Sequence, residues 1–208
     1  LARYTGPVCR HCRREGGKLY LKGERCLTDR CAFERRGFAP GQHGQRRSKL
    51  SEFGAQLREK QKVKRVYGML EKQFRLTFRR SVAERGVTAD IFFRNLETRL
   101  DNVVYRMGFA ASRNEARQVV RHNHILVNGK RCNIPSARIA VGDEVAVAPK
   151  SQKGGHFQLA ADSYAKRAAL PWFSVDHAKY SGKITAAPKR EDVHLPVKER
   201  LIVELYSK

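Results

Sequence analysis

Arg99-Leu100-Asp101-Asn102-Val103-Val104-Tyr105-Arg106-Met107-Gly108-Phe109, then Ser112-Arg113-Asn114-Glu115-Ala116-Arg117, then Val127-Asn128-Gly129, is the stretch on which the fold turns. Leu100, Val103, Val104 and Met107 recur at helical spacing, and that helix stops at Gly108. Ser112-x-x-Glu115 has the form of a capping box, so a second helix starts at 112, with Ala116, Val119 and Val120 facing inward. His124-Ile125-Leu126-Val127 reads as a strand. Asn128-Gly129 predicts a tight hairpin, because both turn residues must accept positive φ. Lys130-Arg131-Cys132-Asn133 returns, and a Gly142-Asp143 turn leads into the alternating strand Glu144-Val145-Ala146-Val147-Ala148. Residues 98–150 are therefore expected to form a compact module of two helices and a small curled sheet.

Outside this module the period is mostly helical. Leu50, Phe53 and Leu57 recur at helical intervals, followed by Lys60, Lys62, Lys64 and Arg65, and Gly68 interrupts. Leu70, Phe74, Phe78 and Val82 form an apolar stripe that ends at Arg85-Gly86, and Ile91, Phe92 and Leu96 lead into one or two more helices. Aromatics at this spacing are helix core. The stretch from Pro40 to Lys49 reads as a basic linker or loop. After 150, residues 151–170 are weakly helical. Trp172–Val175 and Leu201–Leu205 resemble strands, separated by a polar, proline-marked loop. The expected class is α+β, divided at 1–45, 46–97, 98–150 and 151–208.

Residues 1–45 show little periodicity and cannot build much core alone, so something must staple them. Four of the five cysteines, Cys9, Cys12, Cys26 and Cys31, lie here, spaced Cys-x2-Cys-x13-Cys-x4-Cys. Two close pairs can meet around one ion. Zinc prefers tetrahedral thiolate ligation, and four thiolates leave no open position, so the expected site is structural. An iron–sulfur cluster, a disulfide pair and free thiols are the alternatives. His11 and His43 are close enough in sequence to replace a ligand, or to face RNA. Cys132 stands apart and reads as a small core residue.

The chain has 208 residues, with Lys and Arg totalling 43 against 20 Asp and Glu, a formal net charge of +23. Such self-repulsion suits a protein whose partner is a dense polyanion. No apolar run is long enough for a membrane helix, and no secretory signal is visible. Arg113, Arg117 and Arg121 recur every fourth residue along one helix face, opposite Ala116, Val119 and Val120, with Arg106 and His122 able to extend the stripe. No acid at helical spacing along that face pairs it off, which favours phosphate contact over plain solvation. Asn128, Lys130 and Arg131 add donors at the hairpin, suited to the phosphates and 2′-hydroxyls of folded RNA. Arg10, Arg13 and Arg14 bring charge to the cysteine cluster. No run of exposed aromatics suited to stacking single-stranded bases is present.

The opening stretch resembles the S-four RNA-binding module, which also occurs in pseudouridine synthases and tyrosyl-tRNA synthetases. The flanks narrow this. Arg3-Tyr4-Thr5-Gly6-Pro7 with the cysteines, Pro40-Gly41-Gln42-His43-Gly44, Leu57-Arg58-Glu59-Lys60-Gln61-Lys62, Tyr67-Gly68 and the ending Leu201–Lys208 are similar to the family of small-subunit ribosomal protein S four, in its zinc-bearing form. The resemblance implies a mostly helical domain with the S-four (alpha-L) module inserted, residues after about 150 returning to that domain. It implies one structural zinc ion and a cytoplasmic, ribosomal location. It implies binding to the five-prime domain of 16S ribosomal RNA and nucleation of subunit assembly. Ribosomal proteins S five and S twelve would be neighbours, with a contribution to decoding accuracy and, in some members, repression of the protein's own translation. By position, Arg46, Arg47 and Lys49 would act at the mRNA entrance. Arg3, Arg35, Arg36, His43, Lys60, Lys62, Lys64 and Arg65 complete the expected RNA-contacting set.

An RNA-modifying enzyme built on the same module is the competing reading. It would need a catalytic domain with a nucleophile or cofactor motif. The flanks are short and basic, with no Gly-rich cofactor loop and no coherent acid/base set; Asp101, Glu115, Asp143 and Glu204 fit caps, turns or ion pairs. The expectation is a non-enzymatic RNA-binding protein with no small-molecule substrate and no membrane partner.

Overall fold

A computed structural model describes residues 3–46, 49–153, 155–164 and 170–207. Along the chain come α1 (Cys9–Glu15), a 3-10 turn (Gly23–Cys26), α2 (Ala32–Arg35), α3 (Glu52–Val66), α4 (Glu71–Ala83), α5 (Thr88–Glu97), α6 (Leu100–Arg106) and α7 (Arg113–Arg121). Then follow β1 (Ile125–Val127), β2 (Lys130–Arg131), β3 (Glu144–Val147), α8 (Gly155–Tyr164), β4 (Phe173–Asp176), β5 (Ser181–Ile184) and α9 (Glu199–Ser207). Residues 1–89 with 195–208 form one compact unit and residues 90–194 another.

The first unit is helical. Ser51 caps α3, its Oγ accepting the Gly54 N–H at 3.1 Å. The inner face of α3 buries Gln56, Lys60, Val63 and Val66. The C-terminal run Leu201–Leu205, expected as a strand, is part of α9 packed against α3. A short apolar run does not by itself distinguish a strand from a buried helix segment. The docking is polar as well as apolar. Gln56 Nε2 donates to Glu204 Oε2 at 3.3 Å, and Tyr206 stacks on Phe78 with ring centroids 4.6 Å apart. Glu71, the first residue of α4, accepts from Lys60 Nζ at 2.7 Å, Lys64 Nζ at 2.9 Å and the Tyr206 hydroxyl at 3.1 Å. Burial alone would raise the Glu71 carboxyl, but the hydrogen bonds and charges of Lys60 and Lys64 outweigh it and hold it at about 2. Burial and the neighbouring Glu71 push the Tyr206 phenol up. In α4, Phe74 and Phe78 are buried but Val82 is 56% exposed. A strict four-residue spacing drifts by about 40° per step on a helix of 3.6 residues per turn, which carries Val82 off the inner face.

The second unit contains the expected module and more. Leu100, Val103 and Val104 from α6, Met107 just after it, Ala116 and Val120 from α7, and Ile125 and Val145 from the strands are fully buried in one core with Val147, Phe157, Trp172 and Ile184. Ser112 Oγ accepts the Glu115 N–H at 3.3 Å, and Glu115 Oε2 accepts the Ala111 N–H at 2.8 Å, one residue earlier than a strict capping box. Asn128 and Gly129 have φ of 49° and 76°, as the hairpin requires.

Among the described residues the sheet has five antiparallel strands in the order β2-β1-β3-β5-β4. Leu126 pairs with Ala146, and Ala146 with Ser181. The sheet therefore carries this unit on to residue 194, beyond the module boundary expected at 150. β5 lies inside the expected loop. Its Ser181-Gly182-Lys183-Ile184 has a glycine at one of its two buried positions, so no apolar alternation announces it. A Cβ on Gly182 would meet Met107 Sδ at 2.9 Å.

Gly108 follows α6 at φ +81°, and a Cβ there would fall 2.5 Å from Tyr164. Gly108→Ala is expected to lower stability by about 2 kcal/mol or more, through backbone strain and displaced packing. A urea-unfolding midpoint equal to that of the unmodified chain would contradict this. Glu71 has a folded value of about 2 against an ordinary 4.5, so its contribution is complete above about pH 4.5 and is lost as pH falls towards 2. The stability advantage of the native chain over Glu71→Gln should shrink across that interval. Its size at neutral pH should be about 1 kcal/mol or less, since the Glu71 side chain is 46% exposed and the pairs are screened.

Candidate nucleic-acid interface

The second unit sorts its cations into two rows. In the inner row, Arg106 forms a two-pronged pair with Glu97, Nε to Oε2 at 2.9 Å and Nη2 to Oε1 at 2.7 Å. Arg117 Nη1 donates to Asp101 Oδ2 at 3.0 Å, and the buried Arg99 grips the same carboxylate through Nε at 3.1 Å and Nη2 at 2.7 Å. Arg113 Nε donates to Asn102 Oδ1 at 2.8 Å, and its guanidinium lies 4.5 Å from the Tyr105 ring centroid. Asn102 is itself oriented by donating to the Glu97 carboxylate at 2.6 Å. The acids missing from the face of α7 are supplied by α5 and α6. Arg113 and Arg117 are thereby held in place, which the absence of an acid along α7 does not predict.

The outer row is different. Arg121, Lys130 and Arg131 are exposed, and their side chains have no hydrogen bond or ion pair among the described residues. His122 is exposed, its ring 6.1 Å from His124. Asn128 is exposed too, but its amide is engaged: Nδ2 donates to Asp143 Oδ1 at 2.8 Å, and Oδ1 accepts the Glu144 N–H at 2.9 Å. It braces the hairpin that displays Lys130 and Arg131.

The first unit shows the same division. Arg10, Arg35, Arg36, His43, Arg46 and Lys49 are exposed and Arg3 is half-buried; Arg47 lies outside the described residues. Arg13 donates to the Phe38 carbonyl at 3.0 Å and lies over the Phe38 ring, and Arg14 donates to the Pro40 carbonyl at 3.3 Å. Lys60 is 8% exposed and pairs with Glu71, as does Lys64, while Lys62 pairs with Glu59 at 2.7 Å. Arg65 and Arg58 both bind Glu15, whose side chain is 1% exposed. Burial pushes the Glu15 carboxyl up, against the pull of Arg65, Arg58 and Lys62. Glu15, Arg58 and Arg99 are functional neighbours that the expected set does not contain. A signal for the first is visible in the sequence: Glu15 is the sole acid in the first fifteen residues.

The cysteines gather from three local structures. Cys9 and Cys12 lie on α1, Cys26 ends the 3-10 turn, and Cys31 caps α2. All four are free thiols, and Cys12, Cys26 and Cys31 are buried. Burial pushes the Cys12 thiol up; the Leu19 N–H pulls the other way, and Cys26, Cys9 and Cys31 add to the rise. Burial likewise raises Cys26, although it accepts the Lys22 N–H at 3.4 Å. Four cysteine sulfurs are the donor chemistry that zinc takes. Their placement does not complete a site: among the described residues, no group of three or more His, Cys, Asp or Glu side chains is arranged so that it could hold a metal ion. His11 packs its ring on Tyr4, centroids 4.5 Å apart.

Among the described residues no helix is long and apolar enough to cross a membrane. Exposed guanidinium and ammonium groups on a braced hairpin, beside the end of a helix, suit the anionic backbone of a folded polynucleotide. Comparison with known proteins agrees. The family model described as the ribosomal protein S4/S9 N-terminal domain matches residues 3–97, and the S4 domain model matches residues 98–145. Proteins named small ribosomal subunit protein uS4 are 58% identical in Acetivibrio thermocellus and 56% identical in Heliobacterium modesticaldum, each over 208 residues and the whole of both chains. That of Desulfatibacillum aliphaticivorans is 54% identical over the same span. With a boundary between family models at 97/98 and relatives matched from end to end, the chain belongs to the uS4 family of small ribosomal subunit proteins.

Proposed function

We propose that the chain is a structural, RNA-binding constituent of the small ribosomal subunit that fastens 16S ribosomal RNA through its outer row of cations. The observation that carries this reading is the contrast between Arg106, Arg113 and Arg117, tied to groups on α5 and α6, and Arg121, Lys130 and Arg131, exposed on α7 and the hairpin. The paired arginines stiffen the module and the exposed cations meet phosphate. Family membership supports the finer parts of the proposal: contact with the five-prime domain of the RNA, early action in subunit assembly, and service at the mRNA entrance by the basic stretch around Arg46 and Lys49. Neighbouring ribosomal proteins S five and S twelve, an influence on decoding accuracy and repression of its own messenger belong to the same proposal. The protein is read as non-enzymatic, and as cytoplasmic within the ribosome.

One structural zinc ion on Cys9, Cys12, Cys26 and Cys31 is part of the proposal. Their spacing in the sequence, their state as free thiols and the burial of Cys12, Cys26 and Cys31 support it. The bound ion would take the place of the thiol protons that burial favours on Cys12 and Cys26, with release of those protons to solvent.

The variant Arg121→Gln, Lys130→Gln, Arg131→Gln should bind a five-prime-domain transcript more weakly than the native chain. The slope of log affinity against log salt should fall by roughly 2, at about 0.7–0.9 for each phosphate no longer neutralised. An unchanged slope would remove this face from the interface. Separately, zinc added to metal-free chain should protect residues 1–45 from protease and bind one ion per chain, and Cys9→Ser with Cys12→Ser should abolish both effects. Identical cleavage with and without the metal would sink the proposed zinc site.

A further inference from the structure

In the first unit, α4 buries Phe74, Phe78 and Ser81 on one side, with Phe78 stacked on Tyr206 at 4.6 Å between ring centroids. At about 100° per residue, Lys72, Arg75, Arg79 and Arg80 fall together on the other side, within an arc of about 140°. All four are exposed, and their side chains have no hydrogen bond or ion pair among the described residues. None of them belongs to the RNA-contacting set expected from the sequence. The helix has a single acid, Glu71, and its carboxylate is taken by Lys60 and Lys64 of α3. Local electrostatics works against such a face. Arg75 and Arg79 stand at i and i+4, Lys72 and Arg75 at i and i+3, and like charges at these spacings destabilise a helix. An external anion removes that repulsion.

Four positive charges along about 12 Å of helix axis call for an anion that is itself extended. Nucleic-acid backbones carry charge at such density. An anionic membrane is a poorer match. A helix lying on a bilayer inserts its apolar face, and the apolar face of α4 is already used inside the unit. An acidic protein is poorer too. Protein interfaces have an apolar centre depleted of lysine, whereas this arc holds one large apolar side chain, Leu76. We propose that the outer face of α4 is a second RNA-docking surface, on which Lys72, Arg75, Arg79 and Arg80 bind phosphates of a 16S ribosomal RNA segment other than the one held by Arg121, Lys130 and Arg131. This surface rests on the RNA-binding reading above and extends it to the first unit. Each unit fastens its own stretch of RNA, and attachment of one raises the effective concentration of RNA at the other.

The test compares three full-length chains on the five-prime-domain transcript: native, the outer-row variant named above, and an α4 variant with Lys72→Gln, Arg75→Gln, Arg79→Gln and Arg80→Gln. The α4 variant should lower the slope of log affinity against log salt by roughly 3, at about 0.7–0.9 for each phosphate released. At saturating protein, hydroxyl-radical cleavage of the RNA backbone should show protection lost at one group of nucleotides with the α4 variant and at a different group with the outer-row variant. A native slope and footprint for the α4 variant would overturn the proposal, as would loss at the same nucleotides in both. The urea-unfolding midpoint separates docking from a structural role. Free of RNA, the α4 variant should be at least as stable as the native chain, because repulsion has been removed. A lower midpoint would mean that the four cations hold the fold, and the proposal fails. Vesicles containing phosphatidylserine form the remaining arm: capture of native chain that the α4 variant loses, with an unchanged RNA footprint, assigns the face to a membrane and overturns the proposal. A weakened outer-row variant beside an unaffected α4 variant defeats this surface alone. A native chain that does not bind the transcript at all defeats the RNA-binding reading and this surface with it.

Discussion

The Asp101 carboxylate receives two guanidiniums at once, from Arg99 and from Arg117, and the second unit depends on it. A chain with a net charge of +23 cannot pack arginine-bearing helices together unless each inward cation meets an acceptor. Glu97 does the same for Arg106 directly, and for Arg113 through Asn102. In the first unit Glu15 and Glu71 do it for α3. A small set of carboxylates, of which Asp101, Glu97 and Glu15 are shielded from solvent, therefore decides which cations are internal and which are left outside.

That division gives the function its physical form. A rigid module displaying few, well-placed cations loses less conformational freedom on binding than a floppy one displaying many. The Asn128 amide illustrates the economy. It belongs to the bracing of the hairpin, through Asp143 and Glu144, and by that bracing it fixes where Lys130 and Arg131 stand. Phosphate contact positions such a protein on RNA without reading bases, which suits recognition of a folded junction by shape.

What can be read from the sequence is what is local. The hairpin at Asn128-Gly129 and the Ser112 cap depend on residues within four positions of one another, and both are present. The end of the chain misleads because Leu201–Leu205 is short and apolar, and only packing on α3 makes it a helix instead of the expected strand. β5 is hidden because a glycine occupies one of its inward positions. The candidate interface is legible as a set of basic residues and illegible as a division among them. Arg65 meets Glu15 across 50 residues and Arg117 meets Asp101 across 16, and no local pattern reports such pairings. The cysteine spacing is plain, but spacing says nothing of how the sulfurs are turned, and among the described residues they form no group that could hold a metal ion.

Inner cations paired and shielded, outer cations repelling one another in water: the two groups differ in how they answer to salt. Shielded pairs resist screening, and exposed repulsion does not. The direct measurement is the urea-unfolding midpoint of the RNA-free chain between about 0.05 M and about 0.5 M sodium chloride. Stability should rise with salt, as repulsion among the outer cations is screened. A midpoint that falls with salt would mean that exposed attractive pairs dominate, and the division into inner and outer rows would be wrong.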